Sequence, residues 1–278
     1  MTVFAFISDF GTPSNGFSNV RNLITKWNPE YVITGGDNVY LPRLNSLKLA
    51  NSLKFANKYY KSIMDYFQTF IAAAKFYPII GNHDVDYNRV WFRNKFPTLF
   101  QNVNYYSTLL CNGNVEIYAL SSGYLTSELA FEPAGNTIGS QQYNWFKNTI
   151  AKSKALFKIV ILHHPPYTSD PNRAPGYVNL RWEFEKFGVN LVLSGHCHNY
   201  ERFLDKPIPY VVAGIGGQTL SAFLGKSNTS KRNAFHGALK FTYDDNVKSL
   251  TMQAYTINNT IFDAIVFKDG VMKELVMS

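Results

Sequence analysis

The stretch Val3-Phe4-Ala5-Phe6-Ile7-Ser8-Asp9 decides how this chain is read: an unbroken apolar run that ends in a carboxylate. A short run rich in β-branched and aromatic residues has the length and composition of a buried strand rather than a helix. The pattern recurs four times. Tyr31-Val32-Ile33 runs into Asp37, Phe76-Tyr77-Pro78-Ile79-Ile80 into Asn82, Ile159-Val160-Ile161-Leu162 into His163, and Val189-Asn190-Leu191-Val192-Leu193 into His196 and His198. In open α/β sheets, ligands bind just outside the carboxyl ends of the strands. Side chains far apart in sequence are therefore expected to converge on one crevice. Their mix of oxygen and nitrogen donors suits a pair of hard or borderline metal ions.

The ligand-bearing runs extend from Asp9 to His198 in a chain of 278 residues, so most of it must fold as one unit. A single domain over 1–278 is the expectation. With 46% hydrophobic and 16% aromatic residues, the chain can bury a large core. The formal net charge is +8. A basic surface suits anionic substrates such as phosphate esters and would also serve nucleic acid, although solubility alone explains it equally well. Cys111 and Cys197 are the only cysteines, which excludes a disulfide framework. No apolar run reaches the ~18 residues of a membrane span, so no membrane partner is expected. Asp9 interrupts the first apolar stretch, so it does not read as a signal core. Compartment is left open between the cytoplasm and secretion after loss of a leader, and oligomeric state is open as well.

Around these runs the chain alternates strand and helix. Asn45–Lys75 contains no Gly or Pro, and its Leu49, Leu53, Ala56, Tyr60, Met64 and Phe67 recur at helical spacing. Tyr105–Leu110 and Val115–Leu120 read as a hairpin about Asn112-Gly113. Ser140–Lys152 reads as a helix capped by Ser140, and Leu180–Phe187 as a short one. Pro209–Ala213 is a strand that ends in Gly214-Ile215-Gly216-Gly217. That cluster lacks a full nucleotide-binding fingerprint and reads instead as a close approach of backbone to the metal site. The basic stretch Lys226–Arg232 reads as a solvated loop. From Ala238 onward, strands alternate with polar turns. The pattern argues for stacked sheets flanked by helices.

Of the six histidines, five lie in Gly81-Asn82-His83-Asp84, His163-His164-Pro165-Pro166-Tyr167 and Gly195-His196-Cys197-His198; His236 lies outside and reads as structural. The ordered set Asp9-Phe10-Gly11, Gly36-Asp37-Asn38-Val39-Tyr40, Gly81-Asn82-His83-Asp84, Val160-Ile161-Leu162-His163 and Gly195-His196-Cys197-His198 resembles the calcineurin-like metallophosphoesterases. Gly11 and Tyr40 narrow the resemblance to the purple acid phosphatases. It covers roughly residues 3–202. It implies an α/β fold, a four-layer α-β-β-α sandwich with a two-metal site. One ion would take Asp9, Asp37, Tyr40 and His198, and the other Asp37, Asn82, His163 and His196, with Asp37 bridging. A phenolate is a hard anionic donor that favours a trivalent ion, and the second set suits a divalent one. The resemblance makes these Fe(III) and then Zn(II), Mn(II) or Fe(II).

The activity implied is hydrolysis of phosphomonoesters by a metal-bound hydroxide. His83 resembles the substrate-facing histidine of the family, with Asp84 expected to orient it. His164 is a candidate for a supporting or substrate-contacting role. One departure stands out. Relatives carry a further histidine in the loop after the His-His-Pro-Pro-Tyr-like motif, and here Asn172 falls near that place. Arg173 can bind phosphate but stays protonated, so it is a poor general acid. Two rivals remain: a phosphodiesterase acting on cyclic nucleotides or nucleic-acid ends, and a non-catalytic metal- or phosphate-binding protein with the same fold. A small-molecule phosphate ester is the favoured partner over nucleic acid.

Overall fold

The computed structural model describes residues 1–40, 60–61, 63–84, 94–101, 103–123, 134–225 and 230–273. Two mixed seven-stranded sheets carry the architecture. The first has the order β14-β13-β12-β11-β1-β2-β3 and is built from β1 (Thr2–Ile7), β2 (Tyr31–Thr34), β3 (Phe76–Tyr77) and the tail strands β11 (Gly237–Asp244), β12 (Ser249–Thr256), β13 (Ile261–Lys268) and β14 (Val271–Lys273). The second has the order β10-β8-β9-β7-β6-β5-β4, with β4 (Tyr106–Leu110), β5 (Val115–Leu120), β6 (Phe157–Leu162), β7 (Leu191–Ser194), β8 (Tyr200–Phe203), β9 (Tyr210–Ala213) and β10 (Ser230–Asn233).

Residue alternation explains why the sheets stack. Ile159 and Ile161 of β6 point into the cluster shared with Phe4, Phe6, Val32 and Ile33 of the first sheet. Val160 and Leu162, on the opposite face, pack against Phe146 and Ile150. Those two belong to a helix at Gln141–Ile150, whose N-cap Ser140 accepts the Tyr143 N–H. Helix α1 (Asn15–Lys26) buries Phe17, Val20, Leu23 and Ile24 at helical spacing and packs against β11. Its N-cap Ser14 accepts the Phe17 N–H at 3.0 Å. Helix, sheet, sheet and helix thus form the layers that the resemblance implied. β1, β2 and β3 run parallel, as do β5, β6, β7 and β9, and the two sets end at one common rim.

Some local expectations are revised. Leu180–Phe187 is not one helix but two separate 3-10 turns, Val178–Leu180 and Phe184–Phe187. Leu180, Trp182 and Phe184 are all buried, a two-residue period that no helix can satisfy on one face. Of the helix expected over Asn45–Lys75, 45–59 and 62 lie outside the described residues. Residues near its end are helical, passing through a 3-10 turn at Asp65–Phe67 into α2 (Gln68–Ala72), with Tyr60, Met64 and Phe67 buried. The described part of the basic stretch is a strand rather than a loop. Residues 226–229 lie outside the described residues, whereas Ser230–Asn233 pairs with β8 as an edge strand.

Its described cations, Lys231 and Arg232, are also turned inward. Arg232 donates to Ser169 Oγ and to the Leu224 and Gly225 carbonyls. Lys231 lies 3.2 Å from Asp263. Asp263 is buried on β13 and also receives Tyr200 OH at 2.7 Å and Arg202 Nε at 2.6 Å. Burial raises its carboxyl, but Arg202 and Tyr200 outweigh burial and hold it below the ordinary carboxylate range. This clamp joins an edge of the second sheet to the tail of the first.

Candidate metal centre

The first sheet brings Asp9, Asp37 and Asn82 to the common rim, and the second brings His163, His196 and His198. The crevice is therefore a seam between two sheets, not the switch point of one. Asp9 (φ 58°), Asp37 (φ 51°) and His196 (φ 67°) all adopt left-handed backbone just past a strand end. Such conformations are uncommon outside glycine, and Asp, Asn and His tolerate them best. They turn each side chain back over the strand ends. Gly36 (φ +92°) is needed for a related reason: a Cβ there would sit 2.5 Å from His163 Nδ1.

Two groups of donor atoms result. In one, Tyr40 OH lies 3.0 Å from Asp9 Oδ1 and 3.2 Å from His198 Nε2, and His198 Nε2 is 3.5 Å from Asp9 Oδ1. In the other, Asn82 Oδ1 is 3.0 Å from His163 Nε2 and 2.9 Å from His196 Nδ1. Asp37 Oδ1 is 3.3 Å from His163 Nε2 and accepts the His83 N–H at 2.9 Å. Ligand atoms of Asp9, Asp37 and His163 all fall within 4.8 Å of one another. Asp37 faces both groups.

The hydrogen bonds behind these rings test whether cations fit. His163 Nδ1 lies 2.8 Å from the Gly35 carbonyl, and His198 Nδ1 lies 2.8 Å from the Thr219 carbonyl. A carbonyl can only accept, so in each neutral ring the proton sits on Nδ1 and a bare Nε2 faces the centre. The bare His163 Nε2 then confronts the Asn82 oxygen, two acceptors in contact with no proton between them. In the metal-free protein a second ring proton can fill that contact, and a cation takes the same place, so the donor set fits metal.

The charges tell the same story. Burial acts to raise Asp37, but His163 and His83 override it and hold the carboxyl well below its ordinary range. Burial acts to lower His163, but Asp37 prevails and pushes it up to about 9. Burial, followed by Asp37 and Asp9, drives the Tyr40 phenol well above its ordinary value. A bound cation would reverse the logic at Tyr40, since a metal favours the anionic form of an oxygen ligand.

Residues expected to assist catalysis are distributed differently. His83 stands at the mouth with its side chain 40% exposed, its ring 4.4 Å from that of Tyr40. Asp84 does not orient it. Its buried carboxylate accepts from the backbone amides of Asn38, Val39 and Gly81 and from Asn38 Nδ2, tying the second ligand loop to the third. Burial and then Asp37 push this carboxyl up to about 7, against the pull of the Gly81 and Asn38 donors.

His164 is withdrawn from the surface. It is buried, its ring packs 4.3 Å from that of His196, and its Nδ1 lies 2.7 Å from Ser122 Oγ. Burial, then His163, hold it well below the ordinary histidine range, so it is neutral. Arg173 Nη1 is 3.3 Å from both oxygens of buried Asp170. Its charge reaches His164 and His196. Asn172 is exposed beside it. His236 bonds the Gln218 carbonyl at 2.9 Å, a structural role as expected. Ser122, bonded to His164, and Thr219 and Tyr177, bonded to His198 and His196, escaped the sequence reading. None sits in a motif, and only the fold brings them there.

Residues 2–200 match the family model of the calcineurin-like phosphoesterases. Among curated proteins, the tartrate-resistant acid phosphatase type 5 of Oryctolagus cuniculus is 23% identical over 270 residues, which are 86% of this chain and 79% of that protein. Among solved structures, the purple acid phosphatase PPD1 of yellow lupin (Lupinus luteus) aligns with a TM-score of 0.71 at 17% identity, over 100% of this chain and 57% of that one. GAP50, described as the anchor in the inner membrane complex of Plasmodium, aligns with a TM-score of 0.68 at 16% identity, over 96% of this chain and 88% of that one. At these identities the two structures bear on fold alone.

Proposed function

The chain belongs to the calcineurin-like phosphoesterase family, and from that premise we propose that it is a dinuclear metal-dependent phosphatase that hydrolyses phosphomonoesters. The observation that carries the proposal is the pair of donor groups that share Asp37. Asp9, Asp37, Tyr40 and His198 would hold Fe(III). Asp37, Asn82, His163 and His196 would hold Zn(II), Mn(II) or Fe(II). When bound, the ions supply Lewis acidity at the phosphoryl oxygens and an acidified water.

The chain's own residues do the rest. The two sheets fix the donor groups before substrate arrives, so little reorganisation is left for the reaction. His83, exposed at the mouth, is placed to hold the phosphoryl group or to hand a proton to the departing oxygen. Arg173 presents a permanent charge to the phosphate dianion and, unlike a histidine, gives up no proton. The binding-protein rival draws on the anchor of the same fold, but every donor position here carries a competent side chain.

Iron-loaded protein should absorb in the visible through the Tyr40 phenolate, and Tyr40→Phe should lose that band. A band that survives the change would show that the colour has another source. Hydrolysis of p-nitrophenyl phosphate and bis(p-nitrophenyl) phosphate, compared on metal-reconstituted protein, tests the activity. The monoester is expected to be cleaved faster. A faster diester would favour the phosphodiesterase, which is supported by the net charge of +8 and by the absent loop histidine near Asn172. Activity on neither would return weight to the binding role.

A further inference from the structure

The three imidazoles of the centre are not held alike. His163 and His198 each back onto a carbonyl and offer Nε2. His196 is reversed. Its Nδ1 faces Asn82 Oδ1 at 2.9 Å, and its Nε2 lies 2.9 Å from the Tyr177 hydroxyl. A neutral ring that presents Nδ1 to a cation must carry its proton on Nε2, and the atom that meets this proton is the Tyr177 oxygen.

The Tyr177 loop is built to hold the hydroxyl there. Tyr177 N donates to the Pro165 carbonyl at 3.0 Å. Gly176 (φ +95°) precedes it, where a Cβ would lie 2.5 Å from the Pro166 oxygen. Arg181 ties the loop from outside, with Nε on the Pro166 carbonyl at 2.9 Å and Nη2 on the Pro175 carbonyl at 2.7 Å. The ring rests 4.8 Å from that of His164 and 5.7 Å from that of His196.

Resting on the dinuclear reading above, we propose that Tyr177 is a positioning residue for His196, whose hydroxyl reverses its hydrogen bond with metal occupancy. A carbonyl serves only one tautomer of the ring behind it. A hydroxyl both accepts and donates, so it serves two. Without metal, His196 Nδ1–H donates to Asn82 Oδ1, and Nε2 accepts the Tyr177 O–H. With metal on Nδ1, the ring proton lies on Nε2 and the Tyr177 oxygen accepts it. The ring is neutral in both states: one proton leaves Nδ1 to solvent, and Nε2 takes one up. The phenol keeps its own proton and turns it away. His196 is thus hydrogen-bonded in either state, and metal can enter or leave this half of the centre without stranding a buried N–H.

The experiment uses the whole chain with zinc as the only metal. Nitrogen-15 NMR of the histidine rings should show His196 protonated on Nδ1 without zinc and on Nε2 with it. Tyr177→Phe keeps the ring and removes the hydroxyl. It should leave the zinc-free tautomer unchanged and lower zinc affinity, measured against a competing chelator, by roughly 10–100-fold. Tautomers that do not change on loading overturn the reversal. A Tyr177→Phe protein that binds zinc as tightly as the wild type sinks this inference alone. A wild type that takes up no zinc sinks the phosphatase reading with it.

Discussion

Asp37→Asn is expected to lower phosphomonoester hydrolysis by about a thousandfold or more, roughly 4 kcal/mol of lost transition-state stabilisation. The change removes the anionic oxygen that faces both donor groups and, on the proposed assignment, would unlink the two ions. The fold should survive, because Asn accepts the left-handed backbone found at this position (φ 51°). Thermal melting near that of the metal-free wild type, with turnover gone, is the expected pair of results. Turnover like that of the wild type would defeat the assignment of Asp37.

The same carboxylate sets a pH signature in the metal-free protein. Asp37 overrides burial to raise His163 to about 9. The folded-state value lies above the unfolded one, so this contact stabilises fully below about pH 6.5 and its contribution is lost as pH rises through about 9. Metal must displace that proton, so affinity should climb over the same interval. Asp37→Asn should flatten the climb.

Asp84→Ala is expected to cost stability before it costs chemistry. It would strand the buried backbone amides of Asn38, Val39 and Gly81 and one N–H of the Asn38 side chain, whose Nδ2 keeps its bond to the Ile79 carbonyl. At ~1–3 kcal/mol for each buried group left unmade, partly relieved by water and relaxation, the loss should be on the order of 3–5 kcal/mol. Denaturant unfolding reads it directly. Asp84→Asn keeps an acceptor oxygen and should lose less. Were Asp84 instead the residue that orients His83, Asp84→Asn would keep its stability and lose turnover per loaded molecule. That outcome would reinstate the expectation drawn from the motif.

The contrast marks what the sequence makes legible. Asp9, Asp37, Asn82, His163, His196 and His198 could be placed because each follows an apolar run, and a strand end fixes a side chain without knowledge of its neighbours. The runs do not say which sheet each strand joins. One crevice and stacked sheets could be read, but which sheet carries which donor was invisible until the pairing of β1 with β11 and of β7 with β9 was known. Leu180–Phe187 misled because Leu180, Phe184 and Phe187 recur at helical spacing, whereas the buried Trp182 does not share their face. Asp84 misled because adjacency to His83 in sequence suggested contact, whereas its carboxylate turns toward the preceding ligand loop. Tyr177 could not be placed at all, since its partner is set by the path of a loop.

Donors drawn from both sheets carry one more consequence. An ion held by Asp37 and Asn82 of one layer and His163 and His196 of the other is a cross-link between halves of the core. By mass action, a species bound only by the closed form stabilises that form by RT ln(1 + [M]/Kd), about 2.7 kcal/mol when free metal exceeds the dissociation constant a hundredfold. Endurance of the fold would then be set partly by the metal supply of its surroundings. Starvation for metal would silence the enzyme and, through the same bonds, shorten its life.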